Sequence, residues 1–330
     1  MDHAHFMCRC LALAEEGRGA VGTSPMVGAV LVREGRILAE GHYSRWGTLH
    51  AEQDLFKKFD QVLRPEDVLY VNLEPCVSFA GKRTPSCTEL LIQKGLKQVV
   101  IGMLDPDLRV YGKGVAALKN AGVDVCVPLL QNACAWLNRG YVALRTKGRP
   151  WVTLKRAQNV GGTTKGAHRR FMITEPAQDR WAHRHLRATH DAILVGVETV
   201  VADNPSLTVR HGVHVACQPL RIILDPTLRV PLEAKVCSQG KAKTMIIVGS
   251  GYNDPLMLKK RAELEKRGLA IVDVPLQNHG LFDFDALFDV LMSARGDCPG
   301  MSSILVEGGA KTWKTFTEAG CIDMEVTLVG

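Results

Sequence analysis

The stretch Val68–Cys76 reads VLYVNLEPC and joins a predicted buried strand to a turn that ends in a cysteine. Residues 68–73 are rich in β-branched and apolar side chains, which is typical of a strand inside a sheet. Similar segments and helical patterns alternate around it. The further strand candidates are Met26–Arg33, Gln98–Met103 and Val123–Val127, and the helical candidates are Ala4–Glu16, Ala51–Phe59, Cys87–Lys94 and Gly114–Asn120. This alternation predicts a sheet with helices on both faces.

A second α/β series follows the polar stretch Arg145–Pro150, which we interpret as a linker. Its strand candidates are Trp151–Lys155, Ala192–Val197, Leu220–Leu224, Thr244–Val248, Ala270–Val274 and Ser303–Val306, and its helical candidates are Pro176–Ala188, Leu256–Arg267, Phe284–Ala294 and Ala310–Ala319. A chain of 330 residues leaves room for two domains of about 100–200 residues each. We therefore expect one domain at residues 1–145 and another at 146–330.

The composition is that of an ordinary globular protein, with 46% hydrophobic and 23% charged residues. No apolar run approaches the roughly 18 residues of a membrane span, so we expect no membrane association. The ten cysteines are scattered and no secretory signal is apparent, which favours free thiols in a reducing cytoplasm.

The net charge of +7 hides one basic stretch. No acidic residue lies between Asp124 and Glu175, whereas nine lysines and arginines do. Such a run attracts phosphate groups or nucleic acid, or forms a solvated connection between domains. Nucleic acid is the less favoured partner because no aromatic side chains are regularly interleaved for base stacking.

Four residues form a constellation with a specific chemistry: His50, Glu52, Cys76 and Cys87. One histidine and two cysteines can hold zinc and leave a fourth position for water, whose pKa the ion lowers. A carboxylate beside the histidine that is not a ligand can then carry protons, as in hydrolytic base deaminases. The ten residues between the cysteines depart from the usual C-x-x-C spacing. A structural zinc site or reduced core thiols are the alternatives.

Motifs along nearly the whole chain closely resemble the bifunctional riboflavin-biosynthesis deaminase/reductase family. They are Val27–Val32, His50–Glu52, Leu73–Cys76, Arg83–Cys87, Met103–Pro106, Ala202–Arg210 and Val306–Gly309. The resemblance implies an N-terminal, cytidine-deaminase-like three-layer α/β/α domain that deaminates a diaminohydroxy-phosphoribosylaminopyrimidine. It also implies a C-terminal, dihydrofolate-reductase-like α/β domain that uses NADPH to open the ribose into a ribityl chain.

By match to the family motifs, several residues acquire expected roles. The zinc ligands are His50, Cys76 and Cys87, and Glu52 carries the proton. The expected substrate contacts are Arg83, Asp105, Arg187, Leu207, Arg210 and Glu307, with Arg187 at the position of the family's phosphate-binding arginine. The expected NADPH contacts are Ala157, Thr199, Asp203, Gly308 and Gly309. The implied partners are Zn2+, NADPH, a phosphorylated pyrimidine and further copies of the chain in a homo-oligomer.

Other positions depart from the family pattern. In the first domain these are Ser24, Tyr43, Asp107 and a loop after Cys76 that is two residues longer than usual. In the second they are Asn159, Gly161, Arg170 and Met172, and the chain ends within a predicted strand at residues 326–330, as if the domain were truncated. A deaminase with a degenerate reductase domain, and a nucleic-acid-binding deaminase, therefore stay open beside the bifunctional enzyme.

Three histidines, His183, His185 and His190, alternate with arginines in a predicted helix. We interpret them as a solvent-exposed face rather than a site.

Overall fold

The computed structural model describes residues 2–80, 84–162, 176–238, 240, 242–251, 254–277, 280–293 and 300–330. The chain divides into two compact units, Met1–Gly148 and Arg149–Gly330. Among the described residues, no helix is long and apolar enough to cross a membrane.

The described residues of the first unit form five strands and six helices. In chain order these are α1 (His3–Glu15), β1 (Gly28–Arg33), β2 (Arg36–His42), α2 (Ala51–Lys58), β3 (Val68–Val71), α3 (Cys87–Gln93), β4 (Gln98–Ile101), α4 (Lys113–Asn120), β5 (Asp124–Cys126), α5 (Gln131–Leu137) and α6 (Arg139–Lys147). The sheet has the order β2-β1-β3-β4-β5, with β1 antiparallel to both neighbours and β3, β4 and β5 parallel.

Both faces of this sheet are covered. Successive side chains of a strand point to opposite faces, so Leu69 and Val99 join one apolar cluster while Tyr70 and Val100 join the other. This is the three-layer α/β/α arrangement that the sequence predicts. The strand β2 and the helices α5 and α6 were not expected, and α6 runs through Lys147 into the stretch interpreted as a linker.

Helix α2 lies unusually close to the sheet because of Gly41 in β2. A Cβ atom at this position would lie 2.2 Å from the Ala51 carbonyl oxygen and 2.4 Å from the Leu55 backbone nitrogen. Only a residue without a side chain permits this approach. The contact fixes the first turn of α2, and His50 stands immediately before that turn.

The second unit is built on a seven-stranded parallel sheet. Its elements are β6 (Trp151–Gln158), α7 (Pro176–His185), β7 (Ala192–Gly196), α8 (Val197–Asp203), β8 (Leu220–Leu224), β9 (Thr244–Gly249), α9 (Pro255–Lys266), β10 (Ala270–Val274), α10 (Phe284–Met292), β11 (Ser303–Val306), α11 (Ala310–Glu318) and β12 (Met324–Val329), with 3-10 turns at Arg187–Thr189 and Lys235–Cys237. The strand order is β10-β9-β8-β7-β11-β6-β12.

Apolar clusters also cover both faces of this sheet. Ile193 and Val195 belong to one cluster, and Ala192 and Leu194 belong to the other. The sequence predicts a sheet left unfinished by the last strand. In the structure this strand, β12, pairs with β6 along its whole length and forms one edge of the sheet. Helix α8 was missed because its seven residues are too short for a clear helical period.

Part of the basic stretch is engaged inside its own unit rather than held ready for phosphate. Arg139 stacks on Trp136, with its guanidinium carbon 4.8 Å from the ring centre, and Arg149 forms a paired hydrogen bond with Asp323 at 2.6 and 3.0 Å. Arg145 lies 3.4 Å from Asp107. These three arginines of the run are therefore already engaged by other groups of the protein.

Candidate active sites

In the first unit, one histidine nitrogen and two cysteine sulfurs converge. His50 Nδ1 lies 3.5 Å from the Cys76 sulfur and 3.5 Å from the Cys87 sulfur. In a tetrahedral zinc site with ordinary bond lengths, neighbouring nitrogen and sulfur ligands stand about 3.6 Å apart. All three ligand atoms lie within 4.8 Å of one another. This donor set fits zinc, with His50 binding through Nδ1.

The local structure fixes the orientation of His50. Its backbone N–H donates to the Gln53 side chain at 3.0 Å, which anchors the start of α2. The second ring nitrogen, Nε2, lies 3.2 Å from the Thr84 hydroxyl. When Nε2 carries the proton and donates to Thr84, Nδ1 keeps its lone pair for a metal. The Tyr43 ring packs edge-on against the imidazole, with ring centres 5.5 Å apart.

The two cysteines are joined by a short hydrogen-bonded clamp, although ten residues separate them. The Ser86 hydroxyl donates to the Cys76 carbonyl at 3.1 Å, and the Thr88 hydroxyl donates to the Pro75 carbonyl at 3.0 Å. The Thr88 backbone N–H also donates to the Cys76 carbonyl, at 3.1 Å. The first residues of α3 and its N-cap Ser86 therefore hold the Pro75–Cys76 turn directly.

Glu52 is 3% exposed and stands in the first turn of α2. Burial raises the pKa of its carboxyl group, and the neighbouring Cys76 raises it further. A hydrogen bond to Cys76 and burial also raise the pKa of the Cys87 thiol. Cys87 must lose its thiol proton to bind zinc, because cysteine binds the metal as a thiolate. The carboxyl of Glu52 lies in hydrogen-bond contact with Cys87, next to the metal position.

Beside this centre, the loop after β4 is fastened by a buried carboxylate that sequence reasoning missed. Glu74 accepts backbone hydrogen bonds from Asp105 at 3.1 Å, Gly112 at 2.9 Å and Val115 at 3.1 Å. Glu74 belongs to the same turn as Cys76, so the loop that carries Asp105 is held at a fixed place relative to a zinc ligand. The position of Glu74 in the E-P-C motif was the sequence signal that could have identified it.

Asp105 and Asp107 occupy contrasting environments in this loop. Asp105 is buried and accepts a hydrogen bond from the Tyr141 hydroxyl at 2.9 Å; burial raises its pKa to about 6. At Asp107 the hydrogen bonds from Arg109 lower the pKa to about 2. The two carboxyl groups therefore differ in charge near pH 5. Arg83, the other expected substrate residue of this unit, lies outside the described residues.

These pKa values predict opposite effects of two substitutions on stability. The raised pKa of Asp105 means that the folded state binds a proton more tightly than the unfolded state, so ionised Asp105 costs stability above pH 6. The stability difference between Asp105→Asn and the parent should therefore be about 1 kcal/mol more favourable to the variant at pH 8 than at pH 5. Asp107→Asn, which loses contacts to Arg109, should be destabilising at pH 8. Urea unfolding at both pH values measures this, and an equal effect of Asp105→Asn at both would contradict it.

Two buried asparagines hold the segment that enters β1, and sequence reasoning missed both. Asn72 accepts from the Gly28 backbone N–H at 2.8 Å and donates to the Met26 carbonyl at 3.0 Å. Asn138 accepts from the Met26 N–H at 2.8 Å and donates to its carbonyl at 2.9 Å. The segment after Ser24, where the family pattern has a substrate-binding asparagine, is thereby fixed.

In the second unit, the carboxyl ends of β7 and β11 lie side by side, and this is the place in a parallel sheet where a ligand crevice is expected. Gly196 and Gly308 both approach Thr312 so closely that a Cβ atom would lie 2.7 Å and 2.5 Å, respectively, from its side chain. The Gly309 N–H donates to the Thr199 hydroxyl at 3.2 Å and precedes α11. Ligands of parallel sheets bind in such crevices, and amides at a helix start suit phosphate groups. These residues fit a dinucleotide such as NADPH.

Three further expected residues lie around this crevice. Ala157 stands near the carboxyl end of β6, which is next to β11 in the sheet. Asp203 is exposed at the end of α8, one helical turn after Thr199 and therefore on the same face. Leu207 is buried in the loop that follows.

Arg187 and Glu307 form a buried ion pair across 120 residues of sequence. Arg187 Nε and Nη2 donate to the two Glu307 oxygens at 2.9 and 2.6 Å. Burial alone would raise the pKa of Glu307, but the charge and hydrogen bonds of Arg187 outweigh it and lower the pKa to about 2. Glu307 is therefore ionised at neutral pH. Its position directly after β11 places it at the entrance of the crevice.

The interpretation of three histidines as a solvent-exposed face is wrong for two of them. His183 is 1% exposed and His190 is 3% exposed, whereas His185 is exposed. His183 is one turn before Arg187 and shares its inward face, and His190 lies beyond the end of α7, where its ring bonds Thr153 at 2.8 Å.

The first unit thus has the zinc donor set and buried carboxylate of a hydrolytic deaminase, and the second has glycines and a helix start after neighbouring parallel strands, which suit a nucleotide. Residues 1–103 match the cytidine and deoxycytidylate deaminase zinc-binding region, and residues 150–329 match the RibD C-terminal domain. The chain belongs to the RibD family of riboflavin biosynthesis, with a zinc-binding deaminase domain and a reductase domain of the type that uses NADPH. The family resemblance seen in the sequence is confirmed.

Relatives match along almost the whole chain. Riboflavin biosynthesis protein RibD of Aquifex aeolicus is 35% identical over 98% of this chain and 86% of its own, and that of Bacillus amyloliquefaciens is 35% identical over 97% and 82%. The structure of Acinetobacter baumannii RibD superposes with a TM-score of 0.77 at 31% identity, covering 99% of this chain and 86% of that one.

A Thermotoga maritima structure, described as a diaminohydroxyphosphoribosylaminopyrimidine deaminase/5-amino-6-(5-phosphoribosylamino)uracil reductase, has a TM-score of 0.76 at 30% identity. It covers 99% of this chain and 86% of that one. Similarity over both domains argues against a degenerate reductase and against a nucleic-acid deaminase.

Proposed function

We propose that residues 1–145 remove ammonia from 2,5-diamino-6-(5-phosphoribosylamino)pyrimidin-4-one and that residues 146–330 then reduce the ribosyl group of the product to ribityl. The observation that carries the first step is the convergence of His50 Nδ1 and two cysteine sulfurs at 3.5 Å, with Glu52 buried beside them. The named activities of the Thermotoga maritima relative support the substrate assignment.

In the deamination, His50, Cys76 and Cys87 hold zinc, which supplies an activated water when bound. Glu52 takes a proton from the attacking water and delivers it to the departing amine, because its carboxyl is buried beside the metal position and shielded from bulk solvent. Asp105 and Arg83 contact the substrate. The loop of Asp105 is held through Glu74, so this contact is positioned relative to Cys76.

In the reduction, NADPH supplies a hydride when bound. Thr199, Asp203, Gly308 and Gly309, with Ala157, position the cofactor in the crevice between β7, β11 and β6.

The substrate lies near the Arg187–Glu307 pair and Leu207, and its phosphate meets Arg210. The Arg210 guanidinium suits this role because the residue is exposed and its side chain makes no ion pair with any residue in the described part of the chain. Hydride transfer needs mainly correct positioning, so these residues bind and orient.

One experiment tests both steps in sequence. The full chain is mixed with the diaminopyrimidine and NADPH, and ammonia release and NADPH oxidation are recorded in the same sample. We expect ammonia first and one equivalent of NADPH oxidised for each ammonia. Ammonia without NADPH oxidation would remove the reductase assignment, and absence of both would remove the proposal.

We also propose that the enzyme acts in the cytoplasm as a homo-oligomer. The nine described cysteines are all free, which suits a reducing compartment. The edge strand β12 offers backbone groups to which a second chain could add. Light scattering of the purified protein tests the oligomer, since a mass of 36.1 kDa at all concentrations would contradict it.

A further inference from the structure

His183 is a buried residue that none of the assigned roles uses, yet it contacts Arg187 and Arg210, two arginines of the proposed substrate site. It lies in α7, one turn before Arg187, and is 1% exposed. Its Nδ1 accepts a hydrogen bond from the Arg210 backbone N–H at 2.9 Å. Its Nε2 lies 3.3 Å from Arg187 Nη1. One imidazole therefore bridges two residues that come from different segments.

The loop that carries Arg210 has a strained backbone. Leu207 has φ of 48° and His211 has φ of 60°, both in the left-handed region that side chains with a Cβ rarely adopt. Such a backbone conformation is costly for these residues and persists only where surrounding contacts hold it. Arg210 directly precedes one of these residues, so its place depends on those contacts.

The contacts that hold this loop are few and specific. Arg187 Nη1 donates to the Thr208 carbonyl at 3.0 Å. The Gln218 side chain accepts from the Val209 N–H at 2.7 Å and donates to its carbonyl at 3.2 Å. The bond from the Arg210 N–H to His183 is a further contact, and His211 lies 2.8 Å from Asp179. Without the His183 ring, the Arg210 N–H, directly before the strained residue His211, would lose its acceptor.

A divalent metal is an alternative explanation of the same group. Asp179, His183 and His211 have ligand atoms within 4.8 Å of one another, with Asp179 Oδ2 2.8 Å from His211 Nε2 and Asp179 Oδ1 3.9 Å from His183 Nε2. However, the cationic Arg187 Nη1 already stands 3.3 Å from the His183 nitrogen that would bind the ion. The positive charge of Arg187 would repel a metal cation at this place, so the geometry disfavours a metal.

The charges around His183 also keep it neutral. Burial lowers its pKa to about 4; Arg187, His211 and Arg210 act in the same direction, while Asp179 opposes them. A neutral imidazole has one nitrogen without a proton, and the bond at 2.9 Å assigns that nitrogen to Nδ1. The ring is thereby an acceptor for Arg210.

We propose that His183 is a positioning residue of the reductase domain, whose neutral ring holds the Arg210 backbone so that the exposed guanidinium meets the substrate phosphate. The proposal rests on the proposed function, in which Arg210 binds that phosphate. It predicts an effect on substrate binding rather than on hydride transfer, because His183 is not placed to touch the reacting atoms.

The first test separates KM from kcat. In His183→Ala, KM for the deaminated pyrimidine should rise about five- to a hundredfold, as expected for a buried donor left unpaired, while kcat stays within about threefold. His183→Asn should restore KM to within about threefold, because asparagine Oδ1 is as many bonds from Cβ as histidine Nδ1. His185→Ala, an exposed histidine of the same helix, is the control. An unchanged KM in His183→Ala, or no rescue by asparagine, would overturn the proposal.

A second test does not depend on activity. Hydrogen exchange of the Arg210 amide in the full chain should be about tenfold faster in His183→Ala and close to the parent in His183→Asn. If the parent fails to oxidise NADPH, the proposed function fails while this measurement still decides the role of His183. Should His183→Ala unfold, His183→Gln, whose carbonyl is one bond farther from Cβ, replaces it. An amide equally protected in all variants would refute the positioning role.

Metal analysis completes the test. We expect one zinc per chain in the parent and in His211→Ala alike. A second bound metal that His211→Ala removes would assign the group to metal binding and overturn the proposal.

Discussion

Glu52→Gln should lower the rate of ammonia release by about 10²- to 10⁴-fold, the usual contribution of a positioned proton carrier. The substitution keeps the shape of the side chain but removes its ability to accept and deliver a proton. Since Glu52 is not among the three converging ligand atoms, the zinc content should stay at the parent level. NADPH oxidation with the deaminated pyrimidine supplied should also be unchanged.

The control variant for this prediction lies in α3, the helix that begins with Cys87. Glu89→Gln removes an exposed carboxylate from the first turn of α3, close in sequence to Cys87, and should leave ammonia release within about twofold. Metal analysis distinguishes the possible failures. Parent-like activity of Glu52→Gln would mean that the zinc is structural, and loss of zinc together with activity would mean that Glu52 supports the metal instead.

Arg187→Met should destabilise the second unit by about 3–5 kcal/mol and abolish measurable NADPH oxidation. The substitution leaves Glu307 buried and ionised without its partner, and an uncompensated charge of this kind is expensive. The side chains of Arg187 and Glu307 are only 13% and 7% exposed, so water can replace little of the lost interaction. Urea unfolding followed by tryptophan fluorescence measures the effect, because Trp151, Trp181 and Trp313 report on this unit.

Two further variants show whether the buried charge is the cause. The double variant Arg187→Met with Glu307→Gln removes both charges and should recover about 2 kcal/mol of the loss. Arg229→Ala breaks an exposed pair with Glu198, whose side chains are 52% and 63% exposed, and should cost less than about 1 kcal/mol. Similar losses for the buried and the exposed pair would contradict the prediction.

The sequence predicts the chemistry of the first unit well because rare residue types carry it. A histidine, a glutamate and two cysteines next to a buried strand have few other uses, and the structure brings His50, Cys76 and Cys87 together. The strand β2 was missed for the opposite reason. Its residues, Arg36–His42, mix charged and apolar side chains, and all but one are only partly buried or exposed.

Contacts between distant residues could not be predicted. The pairing of Arg187 with Glu307 spans 120 residues, and Asn138 reaches Met26 across 112. The error on His183 has a local cause. A histidine among arginines has the composition of a solvated helix face, and only the packing of α7 shows which side of the helix is buried. Polar residues that hold loops, such as Glu74, give no such signal by composition alone.

The clamp between the start of α3 and the Pro75–Cys76 turn makes the geometry of the metal centre independent of the loop segment that follows Cys76. Because Ser86 and Thr88 bind this turn directly, the distance between Cys76 and Cys87 does not depend on how many residues lie between them. Loop closure costs only about 0.6 kcal/mol for each doubling of length. The segment from residue 77 to 80 is therefore an exchangeable module: its length and side chains can be redesigned to admit another pyrimidine, while Thr84 keeps its contact with His50 and the metal centre keeps its geometry.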